Sequence, residues 1–378
     1  MSANPFRYGA VARGEYFTDR ESELRALVDD VRGGQDIVIF SPRRFGKTSL
    51  VTRAIEHLRE EGTLVAYLDL LGAPSKAELA DDLGQALYEG LQSPLEQALD
   101  RIRDFFSSLT ISPRITVGDD AKPQLEFIGY EPERDADKLI EGLLELPARV
   151  ARDGHHVVVV FDEFQEIVTI DQHLPGQIRA AFQQQADIAH VYLGSKRHLM
   201  EPMFMERGAA LYRSAKPMPL GPIAPPQFIG FLRERFAAGG VEVPTEALKE
   251  ILSITGGRPY ETQELCSFTW TRTQGEGRQV DGELIRGALS DLIDAESARY
   301  LAVWDRLSAS QRALLLALSR ESGRVYSGSY RSRHKLGSAS TVQKALARLE
   351  QFELVEPLAD AGFAISDVFL RDWLRRLD

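Results

Sequence analysis

Between Asp36 and Leu220, short and nearly unbroken apolar runs alternate with stretches of helical spacing. The first run, Asp36–Phe40 (DIVIF), ends in a loop, and Thr48–Arg59 follows with a helical repeat. Leu64–Leu71 (LVAYLDLL) predicts a second buried strand and Lys76–Leu91 a helix. Val157–Phe161 (VVVVF) is the strongest strand signal; His190–Gly194 (HVYLG) follows a helix near Gly176–Ala186, and Ala215–Leu220 is a weaker fifth. A strand with one wet face alternates apolar and polar residues, whereas a run that is apolar throughout is buried on both faces. The expectation is an α/β domain: a parallel sheet with helices on each side. Ser93–Glu133, with Pro113, Pro123 and Pro132, lacks such a pattern and reads as an insertion.

After Pro225-Pro226 only helical periodicity remains, to about Ala295, broken at Gly239-Gly240 and Gly256-Gly257. A third pattern starts near Leu307. Ser308-Ala-Ser-Gln311 has the form of a capping box ahead of an apolar helix, Arg312–Ser319. A second helix is expected near Ser327–Lys335. A third opens at Gly337-Ser338 and runs to about Gln351, with Val342, Ala345, Leu346 and Leu349 as its buried stripe. Leu354-Val355 and Phe363–Ile365, turning around Asp360–Gly362, suit a two-stranded wing. The expected organisation is an α/β domain over 1–222 with an insertion at about 93–133, a helical lid over 223–298, and a winged helix over 299–378.

At 378 residues the chain is long enough for two or three cores. Its net charge of −11 argues against a surface that coats nucleic acid throughout. From Tyr300 onward, however, 12 Lys/Arg stand against 9 Asp/Glu, so the tail is electrostatically distinct. Cys266 is the single cysteine, which excludes an intrachain disulfide and a cysteine zinc site. The start, MSANPFRYGA, lacks the basic and apolar regions of a signal peptide, and no apolar run reaches the ~18 residues of a spanning helix. A cytoplasmic protein with no membrane partner is expected.

Candidate chemistry begins after the first strand. Ser41-Pro42-Arg43-Arg44-Phe45-Gly46-Lys47-Thr48 matches the phosphate-binding loop G-x-x-x-x-G-K-[ST] except that serine stands first. Gly46 lets backbone N–H groups approach phosphate, with the helix dipole behind them. Lys47 would reach the β- and γ-phosphates, and the Thr48 hydroxyl would ligate Mg²⁺. Loop residues Pro42 to Phe45 and the following Ser49 complete the nucleotide-binding set. Asp162 and Glu163 end the strand Val157–Phe161, at the end where parallel sheets bind ligands. Asp162 is the expected Mg²⁺ carboxylate. Glu163 is the expected base for the attacking water, a role that separates hydrolases from P-loop kinases. A solvated helix start is the plain alternative for that pair, and a loop that binds nothing is the alternative for Lys47.

Ser195 ends the next strand, where it either contacts water or γ-phosphate or merely caps a helix; Lys196 and Arg197 stand behind it. Arg207 and Arg213 are candidates to act on a neighbouring copy, Arg213 being the better placed. Gly256-Gly-Arg258-Pro259-Tyr260 joins two helices, a structural role complete in itself. Alternatively Arg258 reaches phosphate and Pro259 packs on the base.

Taken together, these residues resemble a family. Asn4-Pro-Phe-Arg-Tyr-Gly9, Phe17-Thr-Asp-Arg20-Glu-Ser-Glu-Leu24, the Ser41–Ser49 loop and Phe161-Asp-Glu-Phe-Gln165 are similar to the prokaryotic ATPases of the archaeal-ATPase group. That group lies in the STAND-related branch close to AAA+ and origin-recognition ATPases. Leu193–Met200, Gly256–Tyr260 and Phe369-Leu-Arg-Asp-Trp373 extend the match over nearly the whole chain. The resemblance implies a three-layer αβα sandwich with strand order 5-1-4-3-2, then a helical lid and a winged helix. It implies ATP as the nucleotide, with Phe17 to Arg20 near the adenine. It gives Ser195 the sensor 1 role, Arg258 the sensor 2 role and Arg213 the finger role.

Two functions of different class follow. One is an ATP-hydrolysing switch acting on duplex DNA, assembling into a homo-oligomer with ATP. Ser340, Thr341, Gln343, Lys344 and Arg348 lie off the apolar stripe of the third helix, and Arg331, Arg333 and Lys335 precede it. A basic, polar third helix beside a wing suits major-groove docking with phosphate contacts. The other is a regulatory or defence-type signalling ATPase whose winged helix docks a protein partner. A scaffold that binds nucleotide without hydrolysis is disfavoured because Lys47, Thr48, Asp162 and Glu163 are all present.

Overall fold

The computed structural model describes residues 3–17, 20–91, 112–117, 123–152, 154–276, 279–358 and 361–377. They form two compact units: Arg20–Gly221, and the N-terminal segment together with Pro222 onward.

The first unit opens with α1 (Glu21–Arg32), β1 (Ile37–Phe40), α2 (Lys47–Glu60), β2 (Leu64–Asp69) and α3 (76–91). A hairpin of β3 (Ser112–Val117) and β4 (Pro123–Ile128) leads to α4 (Pro132–Ala151) and β5 (Val157–Asp162). Then come α5 (Ile167–Ile170), α6 (Leu174–Phe182), β6 (Ile188–Gly194), α7 (Arg197–Met205) and β7 (Lys216–Pro219).

Five strands form one parallel sheet in the order β2-β5-β6-β1-β7. Numbered along the chain and read from the β7 edge, this is the expected 5-1-4-3-2. Successive side chains of a strand point to opposite faces. Val38, Val157, Val159 and Phe161 join a core with Leu139, Leu143 and Ile178 of α4 and α6. Their alternates Ile37, Ile39, Val158 and Val160 are equally buried, so helices cover both faces and the unbroken apolar runs have their reason. The register Asp69↔Asp162 and Phe40↔Gly194 levels the C-terminal ends of these strands. The loops after Phe40, Asp162 and Gly194 therefore meet at one edge.

Two expectations for this unit change. The run Leu64–Leu71 leaves the sheet at Asp69, whose carboxylate accepts the Leu71 N–H and turns Leu70–Gly72 into a 3₁₀ helix. The expected insertion is in part regular. Residues 92–111 lie outside the described residues, but β3 and β4 pair antiparallel, with Pro113 opposite Phe127. A strand of a two-stranded ribbon keeps one unpaired edge, where a residue without an N–H does no harm.

In the second unit α8 (Pro225–Ala238), α9 (Thr245–Thr255), α10 (Pro259–Glu276) and α11 (Gly282–Asp305) come first. They lead to α12 (Ala309–Arg320), α13 (Gly328–Arg333), α14 (Ala339–Gln351), the wing strands β8 (Val355–Pro357) and β9 (Phe363–Ile365), and α15 (Val368–Arg376). The Ser308–Gln311 capping box forms, and Val342, Ala345, Leu346 and Leu349 are the buried residues of α14. A single core runs from Phe228 and Leu265 through Leu292 and Tyr300 to Leu346 and Trp373.

The boundary expected at 298/299 thus falls inside α11, whose buried Leu292, Ile293 and Tyr300 carry the helix through without a breaker. The first residues, expected within the α/β domain, pack on these helices instead. Asn4 Nδ2 donates to the Ser267 carbonyl and hydroxyl at 3.2 and 2.9 Å, and the Phe6 ring lies 4.6 Å from that of Phe236. A helix after the wing, α15, adds to the expected helix-helix-helix-hairpin order; Asp367 caps it by accepting the Phe369 and Leu370 N–H groups. Among the described residues no helix is long and apolar enough to cross a membrane.

Candidate active site

The site lies in the first unit, where β1, β5 and β6 end. After Phe40 the chain turns through Pro42–Phe45 and enters α2 at Gly46, which has φ 85° and ψ 21°. A Cβ there would come no nearer than 3.9 Å to Arg20 Nε, so backbone conformation rather than space demands glycine. Ser41, in place of the usual glycine, is buried, as is Phe45; Arg43 and Arg44 are exposed. Lys47 is buried and its ammonium donates to the carbonyls of Ser41 and Pro42 at 2.8 and 3.2 Å.

Thr48, in the first turn of α2, donates from its hydroxyl to Asp162 Oδ2 at 3.2 Å. The Tyr67 phenol donates to the same oxygen, and the Glu163 N–H to Asp162 Oδ1 at 2.8 Å. Burial pushes the Asp162 carboxyl above its ordinary range; the Tyr67 and Glu163 hydrogen bonds oppose the rise, and the Glu163 and Asp69 carboxylates add to it. Burial and then the facing Asp162 push the Tyr67 phenol up, so it remains a donor. No basic side chain among the described residues pairs with Asp162.

Glu163 adopts φ 49°, ψ 41°, the left-handed region. Its Oε2 accepts from the Ser195 hydroxyl at 2.8 Å and from Gln165 Nε2. Lys196 pairs with Glu166 at 2.7 Å. Thr48, Asp162, Glu163 and Ser195, from three separate stretches of sequence, are thereby one cluster, with Lys47 next to Thr48 at the start of α2.

Arg20 is 3% exposed, and its guanidinium donates to the carbonyls of Phe45 at 2.9 Å and Gly221 at 2.7 Å while pairing with Glu23 at 3.1 Å. It clamps the phosphate loop from behind. Arg213 is exposed, with φ 55° and its guanidinium 5.4 Å from the Tyr212 ring, and it makes no hydrogen bond to the cluster. Phe17, Arg258 and Pro259 belong to the second unit. There Arg258 donates to Glu356 of β8 and to the Ser366 carbonyl, Pro259 opens α10, and Phe17 is half-buried. Gly257 is required beside Arg258, since a Cβ would meet the Ile223 carbonyl at 2.7 Å and φ is 69°.

On α14, Thr341, Gln343, Lys344 and Arg348 are exposed, and Arg348 bonds Gln351 and covers the Phe352 ring at 4.3 Å. Arg331 donates to the Tyr326 carbonyl at 3.3 Å, Lys335 is exposed, and Arg333 pairs with Glu321 at 2.6 Å. Sequence reasoning missed Tyr67, Gln165 and the clamping role of Arg20.

A phosphate loop after β1, an acidic pair at the end of β5 with β6 between the two strands, and a parallel sheet in this order define a P-loop ATPase, and the helices α12–α14 with the β8–β9 hairpin make its C-terminal part a winged helix. A family described as an ATPase domain predominantly from Archaea matches residues 17–265, and one described as a probable winged helix domain matches 298–376. The chain belongs to that archaeal-type ATPase family.

Among solved structures, a Walker-type ATPase of Pyrococcus abyssi aligns with a TM-score of 0.68 at 16% identity, over 98% of this chain and 99% of that one. The ORC2 protein of Aeropyrum pernix, solved as ADPNP–ADP complexes, aligns with 0.56 at 14% identity over 98% of both. These two share the fold. An uncharacterized WD repeat-containing protein of Synechocystis is 22% identical over 315 residues, 79% of this chain. The chain spans 24% of that relative's length.

Proposed function

We propose that this ATPase is a magnesium-dependent molecular switch that acts on duplex DNA through its winged helix. The observation that carries the hydrolytic part is the cluster in which Thr48 touches Asp162 while Glu163, one residue on, is held by Ser195. The Thr48 and Asp162 oxygens are hard donors 3.2 Å apart, near the ~2.9 Å between adjacent ligands of an octahedral Mg²⁺ site. Asp162, buried with no basic partner among the described residues, gains most from a cation. Thr48 and Asp162 would hold Mg²⁺, which neutralises phosphate charge when bound. Lys47 and the α2 N–H groups bind the β- and γ-phosphates of ATP. Glu163 takes the proton of a water whose oxygen attacks the γ-phosphorus as the bond to the β-phosphate oxygen breaks. Ser195 steadies the reacting groups, and exposed Arg213 suits a finger reaching a second copy in an ATP-dependent homo-oligomer.

Thr341, Lys344 and Arg348, exposed on α14 with Lys335 just before it, support contacts to DNA phosphates and bases. A second reading, a winged helix that docks a protein, is favoured by two observations. Glu321 offsets Arg333, and Tyr326, Phe352 and Leu358 expose apolar surface on the same domain.

The test is ATP hydrolysis with Mg²⁺, with and without duplex DNA, for wild type and Glu163→Gln. Turnover stimulated by DNA and reduced at least ~100-fold in the variant supports the proposal. Turnover indifferent to DNA transfers the winged helix to the protein-docking reading. Wild-type turnover in Glu163→Gln removes that residue as the base.

A further inference from the structure

Gln165 lies in the 3₁₀ turn Phe164–Glu166 that follows β5, and it is 0% exposed. Each polar group of its amide is engaged at the site. Nε2 donates to Glu163 Oε2 and, at 3.4 Å, to Glu166 Oε1; Oε1 accepts the Ser195 N–H at 3.3 Å. The Ser195 hydroxyl donates to the same Glu163 Oε2, and the Lys196–Glu166 ion pair ties the two loops a second time. One oxygen of the Glu163 carboxylate is thus gripped from two sides, while no described residue donates to the other, Oε1. The Glu163 backbone sits in the left-handed region, which a residue with a Cβ keeps only where its surroundings hold it.

We infer that Gln165 is a positioning residue, which fixes Glu163 Oε2 and links it to the end of β6 so that Oε1 is left to take the proton of the attacking water. The inference rests on the reading of Glu163 as the base. A carboxylate free to rotate spends little time in the geometry proton transfer needs, and holding one oxygen restricts it without occupying the other. The buried amide suits this task because it donates to a carboxylate and accepts from a backbone N–H in the same plane, which a shorter or charged side chain does not. The contact also couples Glu163 to Ser195 through main chain as well as through its hydroxyl.

Gln165→Met preserves length and burial and removes all three hydrogen bonds. Gln165→Glu preserves shape and the acceptor for the Ser195 N–H but turns a carboxylate toward Glu163, and it serves if the methionine variant does not fold. Both are expected to lower kcat about 10- to 100-fold. The Kd for ATP, measured by titration with a fluorescent ATP analogue, is expected to stay within about twofold of wild type. In a Glu163→Gln background neither substitution is expected to slow the residual single-turnover rate further. A distorted loop would slow that residual reaction too, and would weaken nucleotide binding. Unchanged kcat in Gln165→Met, a loss carried by Kd, or a loss that persists beside Glu163→Gln overturns the inference while leaving the base reading intact. Wild-type turnover in Glu163→Gln alone overturns both.

Discussion

Arg20 illustrates how a single side chain supports a site it does not enter. A guanidinium is a planar fork of donors, and at this position two of them go to main-chain carbonyls on either side of it, Phe45 and Gly221. Burial pushes its pKa down and Glu23 resists the fall, so the charge is retained where the carbonyls use it. Arg20→Ala leaves both carbonyls without their donor, and should cost about 2–4 kcal/mol of stability in this unit and weaken ATP binding. Denaturant melts with ATP titration check this, and a variant unchanged in both would mean that the loop supports itself. The resemblance put Arg20 near the adenine. Its clamping role was not legible, because one of its partners is 201 residues away in sequence. Lys47, Thr48, Asp162 and Glu163 were legible because their chemistry is carried by short local motifs. Tyr67 was not, since it reaches Asp162 only through the β2–β5 register that sets Asp69 beside Asp162, and the apolar pattern leaves register open.

At the scale of elements, the turn from α12 to α13 is held by one acid. Glu321, just past α12, accepts from Arg333 and from the His334 ring, and these partners hold its carboxyl below the ordinary glutamate range, Arg333 contributing most. A depressed carboxyl stabilises the fold above its unfolded pKa, and that contribution disappears as pH falls through the folded value. The thermal midpoint of the second unit should therefore decline between about pH 5 and pH 3, with a smaller decline in Glu321→Gln. The effect will be modest because the pair is exposed. Equal pH profiles for the two proteins would show that the ion pair is idle.

Legibility followed periodicity in the elements too. The α14 stripe was readable because it faces a single core, and the central strands because both of their faces are buried. The β3–β4 pair was hidden by its prolines. Helix α15 was hidden because nine residues with a strong cap and no long repeat resemble a tail. The continuity of α11 was hidden because the pattern changes around it while the helix itself does not.

For the whole molecule, α11 is the element that joins the helices α8–α10 and the winged helix in one body. Its first part packs with α9 and α10, and its last part with α15. Ala298 is exposed near the middle of the helix, so a proline there costs ~3 kcal/mol through the backbone with little loss of packing. Ala298→Pro should split the melting of this unit into two calorimetric transitions, where the shared core predicts one. A single transition at the wild-type temperature would mean that the core, not the helix, provides the continuity. A helix of 24 residues is also a rod of ~36 Å, and a rod is a lever. Turning its first turn by about 10° sweeps the far end through ~6 Å, more than the ~5.4 Å pitch of the helix itself. A rotation too small to notice beside α9 and α10 becomes, where the rod meets α15, a displacement longer than a helical turn.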